Sequence, residues 1–114
     1  MTINKVSEAC WAKPRGHRNV ADELAHHISL VVGRHYEVIL CRERPWASIT
    51  FIGSRCRFAI SPRPPNQKPL SAICAAKLHS HDYKLSCHFV ADLTIEWPKT
   101  MHPFAVGEFL VIKD

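Results

Sequence analysis

Ala47-Ser-Ile-Thr-Phe-Ile-Gly-Ser-Arg-Cys-Arg-Phe-Ala-Ile-Ser61 alternates apolar and polar residues on both sides of a Gly53-Ser54 pair. Period-two alternation is the mark of a strand with one buried and one more polar face. A two-residue loop that opens with glycine suits a type II′ turn between antiparallel strands. Folded there, the segment pairs Phe51 with Cys56, Ile49 with Phe58 and Ala47 with Ile60, all on one face. The opposite face receives Ser48, Thr50, Ile52, Arg55, Arg57 and Ala59. The expectation is a β-hairpin with its apolar face against a core.

Upstream, Tyr36–Arg42 is rich in β-type residues. With Glu43-Arg-Pro-Trp46 as a loop, Leu40 opposes Ile49 and Val38 opposes Phe51, which extends the hairpin to a three-stranded meander over about 36–61. Pro45 fits a loop and is unsuited to a central strand. Before it, Asn19 is a good N-cap, and Asp22 and Glu23 suit the positive end of a helix. Val20, Leu24, Ile28 and Val31 share a stripe, and Gly33 offers a C-terminal stop, so a helix spans about 20–32.

Downstream, residues 61–69 hold four prolines and read as a stiff connector. A Pro-x-x-Pro adaptor ligand from Pro62 to Pro65 is the functional alternative. Leu70, Ile73, Cys74, Ala76 and Leu78 indicate a second helix over about 70–80. Cys87–Trp97 alternates again, with Cys87, Phe89, Ala91, Leu93, Ile95 and Trp97 on one side. Phe104–Lys113 is a last strand, apolar on both faces except at Glu108. Such a strand is either central or an edge covered by another subunit. The order is α-β-β-β-α-β-β: an α+β two-layer sandwich, with an antiparallel sheet of about five strands and two helices on one face.

The chain has 114 residues, 46% hydrophobic and 22% charged, which suits one globular domain at 19–114 behind an arm at 1–18. The opening residues show no secretory signal, and no apolar run reaches the length of a membrane span. Five cysteines, mostly inside apolar patterns, read as reduced thiols of a cytoplasmic protein. The net charge of +5 is uneven: residues 1–57 carry nine Lys/Arg against five Asp/Glu, and residues 58–114 carry six against five.

Catalytic motifs are missing from the sequence. The four glycines are too scattered to cradle a phosphate, and no Gly-x-Ser-x-Gly, Cys-x-x-Cys or His-Glu-x-x-His occurs. Cys10, with Lys13, Arg15 and His17 nearby, is the one cysteine outside a core pattern and lacks rigid support for nucleophilic chemistry. Eight histidines raise the question of metal. The densest group holds His79, His81, Asp82 and His88, whose spacing places neighbours on opposed sides of a helix or strand. His26 and His27 lie on the first helix, with His27 at the border of its apolar stripe. Asp92 and Glu96 share one side of a strand, as do Arg55 and Arg57, and cross-strand ion pairs would account for all four.

These residues leave a non-catalytic binding or self-association module as the first expectation, without a cofactor. Arg42, Arg44 and Trp46 are residue types that anchor interfaces, and the apolar last strand suggests a homodimer or a protein partner. The second expectation is a nucleic-acid binder using the Arg-rich region 42–63, including Arg55 and Arg57. The third is a small metal-dependent enzyme with a site near 79–88. The expected order of the first five elements is also that of double-stranded RNA-binding domains. Those domains use a basic cluster at the start of the second helix and a histidine in the first hairpin loop. Here Lys68, Lys77 and Glu43-Arg-Pro-Trp46 stand in those places, so the likeness is one of element order alone.

Overall fold

A computed structural model describes residues 19–65, 68–97 and 104–114. The arm expected at 1–18 lies outside the described residues. The elements are α1 (Val20–Val32), β1 (Tyr36–Ala47), β2 (Ile52–Pro62), α2 (Ala72–Ser80), β3 (His88–Glu96) and β4 (Ala105–Lys113). The strands form one antiparallel sheet in the order β1-β2-β4-β3. Both helices contribute to the core on one face of it. The architecture is the α+β sandwich expected, with four strands in place of about five. The order α-β-β-α-β-β removes the shared order with double-stranded RNA-binding domains.

α1 forms where its local signals place it. The Asn19 side chain accepts a hydrogen bond from the Asp22 N–H at 2.9 Å, and Gly33 takes φ +85° at the other end. Val20, Ala21, Leu24 and Ile28 are its buried stripe. α2 starts two residues later than the apolar pattern suggests because Ser71 caps it, accepting from the Cys74 N–H at 3.1 Å. Leu78 and Ala75 are its buried residues.

The first hairpin differs most from expectation. Gly53-Ser54 is not a turn: β2 runs straight through it. The chain reverses at residues 48–51, between Ala47 and its partner Ile52. Ser48 builds that reversal. Its N–H donates to the Phe51 carbonyl at 2.8 Å, and its hydroxyl accepts from the Phe51 N–H at 3.1 Å. A serine side chain does here what glycine or asparagine does in commoner turns. Two long strands therefore replace the meander. Pro45 sits in β1, where an edge strand tolerates the missing N–H. Val38 and Leu40 oppose Ile60 and Phe58, not Phe51 and Ile49.

Gly53 is required for a different reason. A Cβ there would fall onto the carbonyl oxygen of Val111, with the Val111 carbonyl carbon and Ile112 Cα at 2.9 and 3.0 Å. All three are backbone atoms of β4, the strand next to β2. The glycine lets two backbones approach closely.

The main core cluster joins the sheet to both helices. Cys56, Phe58 and Ile60 from β2 meet Ala105, Phe109 and Val111 from β4, beneath Leu24, Ile28 and Leu78 from the helices. Phe58 and Phe109 pack edge to face, with centroids 5.8 Å apart. β4 is thus central, and its facing is settled by Ala105, Phe109 and Val111. An edge covered by another subunit is excluded for it, and with it that ground for a homodimer.

Candidate interface on the sheet face opposite the helices

Two β-bulges decide what the far face of the sheet presents. In β1 the register shifts between Leu40 and Arg42, leaving Cys41 as the extra residue. Before the bulge, Val38 and Leu40 share the core face with Ile60 and Phe58. After it, Arg42 pairs with Arg57, Arg44 with Arg55 and Trp46 with Gly53, all on the far face. Without the bulge these three side chains would point to the helix side. Re-aiming side chains is the general consequence of a bulge. β3 has its own at Ala91. It puts Val90, Leu93 and Ile95 toward the core, and turns Phe89 to the far face, where strict alternation had grouped Phe89 and Ala91 with Leu93.

The far face then reads in rows across β1-β2-β4-β3. One row is Trp46, Gly53, Ile112 and Phe89. The next is Arg44, Arg55, Leu110 and Asp92, followed by Arg42, Arg57, Glu108 and Thr94. Four arginines thus form a block on β1 and β2, with an apolar row at one end. Phe89 is 41% exposed and Trp46 half-buried, while Ile112 is buried although it lies outside the main core cluster.

Charge on this face is polarised. Arg57 is committed: it donates to Glu108 at 2.9 Å and to Glu96 at 3.0 Å. Hydrogen bonding to Glu108, the first cause, holds its guanidinium pKa above the ordinary value, with Glu96 adding to it and partial desolvation opposing it. Arg55 makes a looser contact with Glu108 at 3.5 Å. The expected pairing of Arg55 and Arg57 with Asp92 and Glu96 is therefore realised only as Arg57–Glu96, and Glu108 of the intervening strand is the main partner. Arg42 and Arg44 have no ion pair among the described residues. The β1 side of the face is left with a cationic surplus.

The histidines group differently from the sequence expectation. Among the described residues no three or more His, Cys, Asp or Glu side chains converge as metal ligands would. His81 meets His27 of α1, not His79 or His88. His27 Nε2 lies 3.2 Å from the Lys84 carbonyl, which can only accept, so that nitrogen carries the hydrogen. In a neutral His27 ring, Nδ1 is then the acceptor for His81 Nε2–H at 2.9 Å. Tyr83 meets both rings edge to face, packs on Phe109 and donates to the Leu78 carbonyl at 2.8 Å. The cluster fastens α1 to the segment after α2. His88 Nδ1 lies 2.8 Å from the Ser86 carbonyl, and His79 and Asp82 are exposed.

The cysteines are free thiols among the described residues. Burial first, then the charge of Glu43, pushes the Cys56 thiol up to about 12. No helix is long and apolar enough to cross a membrane among the described residues. Comparison of the chain with protein-family models, curated proteins and solved structures returns no match.

Sequence reasoning named Arg42, Arg44, Trp46, Arg55 and Arg57, and the structure brings these five together on one face. It missed Phe89, Glu108 and Ile112. The charge of Glu108 in an otherwise apolar strand was the available signal for a partner of an arginine.

Proposed function

We propose that the protein is a non-catalytic binding module whose sheet face opposite the helices takes single-stranded nucleic acid. The observation that carries this reading is the block of Arg42, Arg44, Arg55 and Arg57 beside the apolar row holding Trp46 and Phe89. Arginine forks suit phosphate oxygens, and aromatic side chains on an open sheet suit unstacked bases. Duplex would not reach the half-buried Trp46, so single strands are the better fit.

The test is fluorescence anisotropy of a labelled single-stranded oligonucleotide at two salt concentrations. With phosphates on Arg42, Arg44 and Arg55, log K should fall against log salt with a slope of about −2. The Arg42→Ala/Arg44→Ala double variant should flatten that slope to about −0.7, and Trp46→Ala should cost about 1–3 kcal/mol of affinity. Binding that ignores both sets of substitutions, or is missing at about 100 μM protein in low salt, would overturn the proposal.

Self-association is the second reading, favoured by a different observation. Ile49 is fully exposed at the hairpin tip, with Phe51 and Ile52 more than half exposed beside it. Grouped exposed apolar side chains of this kind mark contact surfaces. A homodimer through the tip should dissociate in an Ile49→Ser/Phe51→Ser variant, read by sedimentation equilibrium. A wild-type monomer at about 500 μM would remove this reading.

A further inference from the structure

A second basic site lies at the other end of the long hairpin. Gly33 turns the chain sharply between α1 and β1 and presents Arg34. Alongside runs the proline-rich connector after β2. Two contacts fasten connector to turn: the Arg63 N–H donates to the His35 carbonyl at 2.8 Å, and the Tyr36 hydroxyl donates to the carbonyls of Lys68 and Pro69 at 3.0 and 3.1 Å. Between the two segments is a cleft of about 720 Å³. Its walls are Val32, Tyr36, Pro64 and Pro65, and its charged side chains are Arg34, Arg63 and Lys68. No carboxylate lines it among the described residues. Arg34 and Arg63 have no ion pair among the described residues.

The geometry points to this cleft as a binding site for a nucleoside phosphate. An aromatic ring and two proline rings offer flat apolar surface to a base. The guanidinium forks of Arg34 and Arg63 offer bidentate hydrogen bonds to phosphate oxygens. The volume falls within the range of small-molecule sites. The walls are held by backbone and tyrosine hydrogen bonds, so the cleft needs little ordering when a ligand enters. It is separate from the arginine block: Tyr36 and Trp46 stand ten positions apart along β1, about 30 Å. The inference therefore stands or falls independently of the nucleic-acid reading.

The experiment is a calorimetric titration of the full chain with a nucleoside monophosphate, the matching nucleoside and inorganic phosphate, each in turn. The nucleotide should bind at least about tenfold more tightly than either of its halves. Arg34→Ala and Arg63→Ala should each weaken it about tenfold, since each removes a charge-assisted pair. Arg63→Ala keeps the backbone N–H that bonds His35, so the cleft persists in that variant, and circular dichroism checks that it does. Arg42→Ala/Arg44→Ala should leave nucleotide affinity unchanged. Equal binding of nucleotide and inorganic phosphate would overturn the assignment, as a simple anion site. So would nucleotide affinity that survives loss of Arg34 and Arg63, or no heat up to about 5 mM nucleotide.

Discussion

Gly53→Ala distinguishes the two roles a glycine can play in this chain. If Gly53 opened a turn, an alanine there would cost only the strain of one unfavourable backbone conformation, about 1 kcal/mol. The close approach to β4 demands more. The new methyl group would meet the carbonyl oxygen and carbon of Val111 and the Cα of Ile112, none of which can rotate away as a side chain can. Relief requires parting β2 from β4 around the pairs Gly53–Ile112, Ser54–Val111 and Arg55–Leu110, in the middle of the sheet. Overpacking in a well-packed interior typically costs 1–3 kcal/mol, and a backbone obstacle sits at the upper end, so about 3 kcal/mol is expected. For a domain of this length that lowers the melting temperature by about 12 °C. In urea, with an m-value near 1.5 kcal/mol/M, the midpoint falls by about 2 M. Gly107→Ala is the internal control. Its Cβ would lie 3.3 Å from the Phe109 ring and 3.9 Å from Leu93, both side chains, and should cost about 1 kcal/mol. If Gly53→Ala is no more destabilising than Gly107→Ala, the close-approach argument is wrong.

The remaining expectations concern charge and pH. Glu108→Gln should destabilise the fold by about 1 kcal/mol, because one carboxylate serves both Arg55 and Arg57 while all three stay partly solvated. The difference from wild type should shrink in about 1 M salt, and urea midpoints at two salt concentrations read it. Stability should also fall at alkaline pH. The Cys56 thiol is raised by burial, and by Glu43, from 9.0 to about 12 in the folded chain. The unfolded chain therefore releases this proton first. Its contribution is intact below pH 9 and is lost as the pH rises toward 12, with a slope of at most about 1.4 kcal/mol per unit. Burial raises the Tyr83 hydroxyl as well, which acts in the same direction above pH 10. Cys56→Ala should flatten the stability–pH curve over this window, and an unchanged slope would show that the thiol is not the source.

Local signals made parts of this fold legible and non-local ones hid the rest. α1 could be bounded because Asn19, Asp22 and Gly33 act within a turn of their own positions. The alternation Cys56-Phe58-Ile60 correctly marked a buried face, since facing depends only on the period of the strand. The turn was misplaced because glycine next to serine looks the same in sequence whether it bends a chain or admits a neighbour. What Gly53 admits is β4, half the chain away. The true reversal uses Ser48, a residue with no strong turn signature. The bulges at Cys41 and Ala91 leave no mark on composition, yet each inverts the facing of the residues after it. The arginines of the candidate interface could therefore be named from sequence, but not their common face.

The central position of β4 has a consequence for synthesis. A nascent chain can form α1, the β1–β2 hairpin and α2 from contacts between sequence neighbours. β3, when it emerges, lacks its partner strand, because its neighbour in the sheet among the described residues is β4. Until Ala105–Lys113 clears the ribosome, β2 lacks its β4 neighbour, and Phe58, Cys56 and Ile60 lack the cover of Ala105, Phe109 and Val111. Pairings so distant in sequence close slowly, and exposed strand edges invite association with other chains. The sheet is thus complete only once one nine-residue strand lies between β2 and β3.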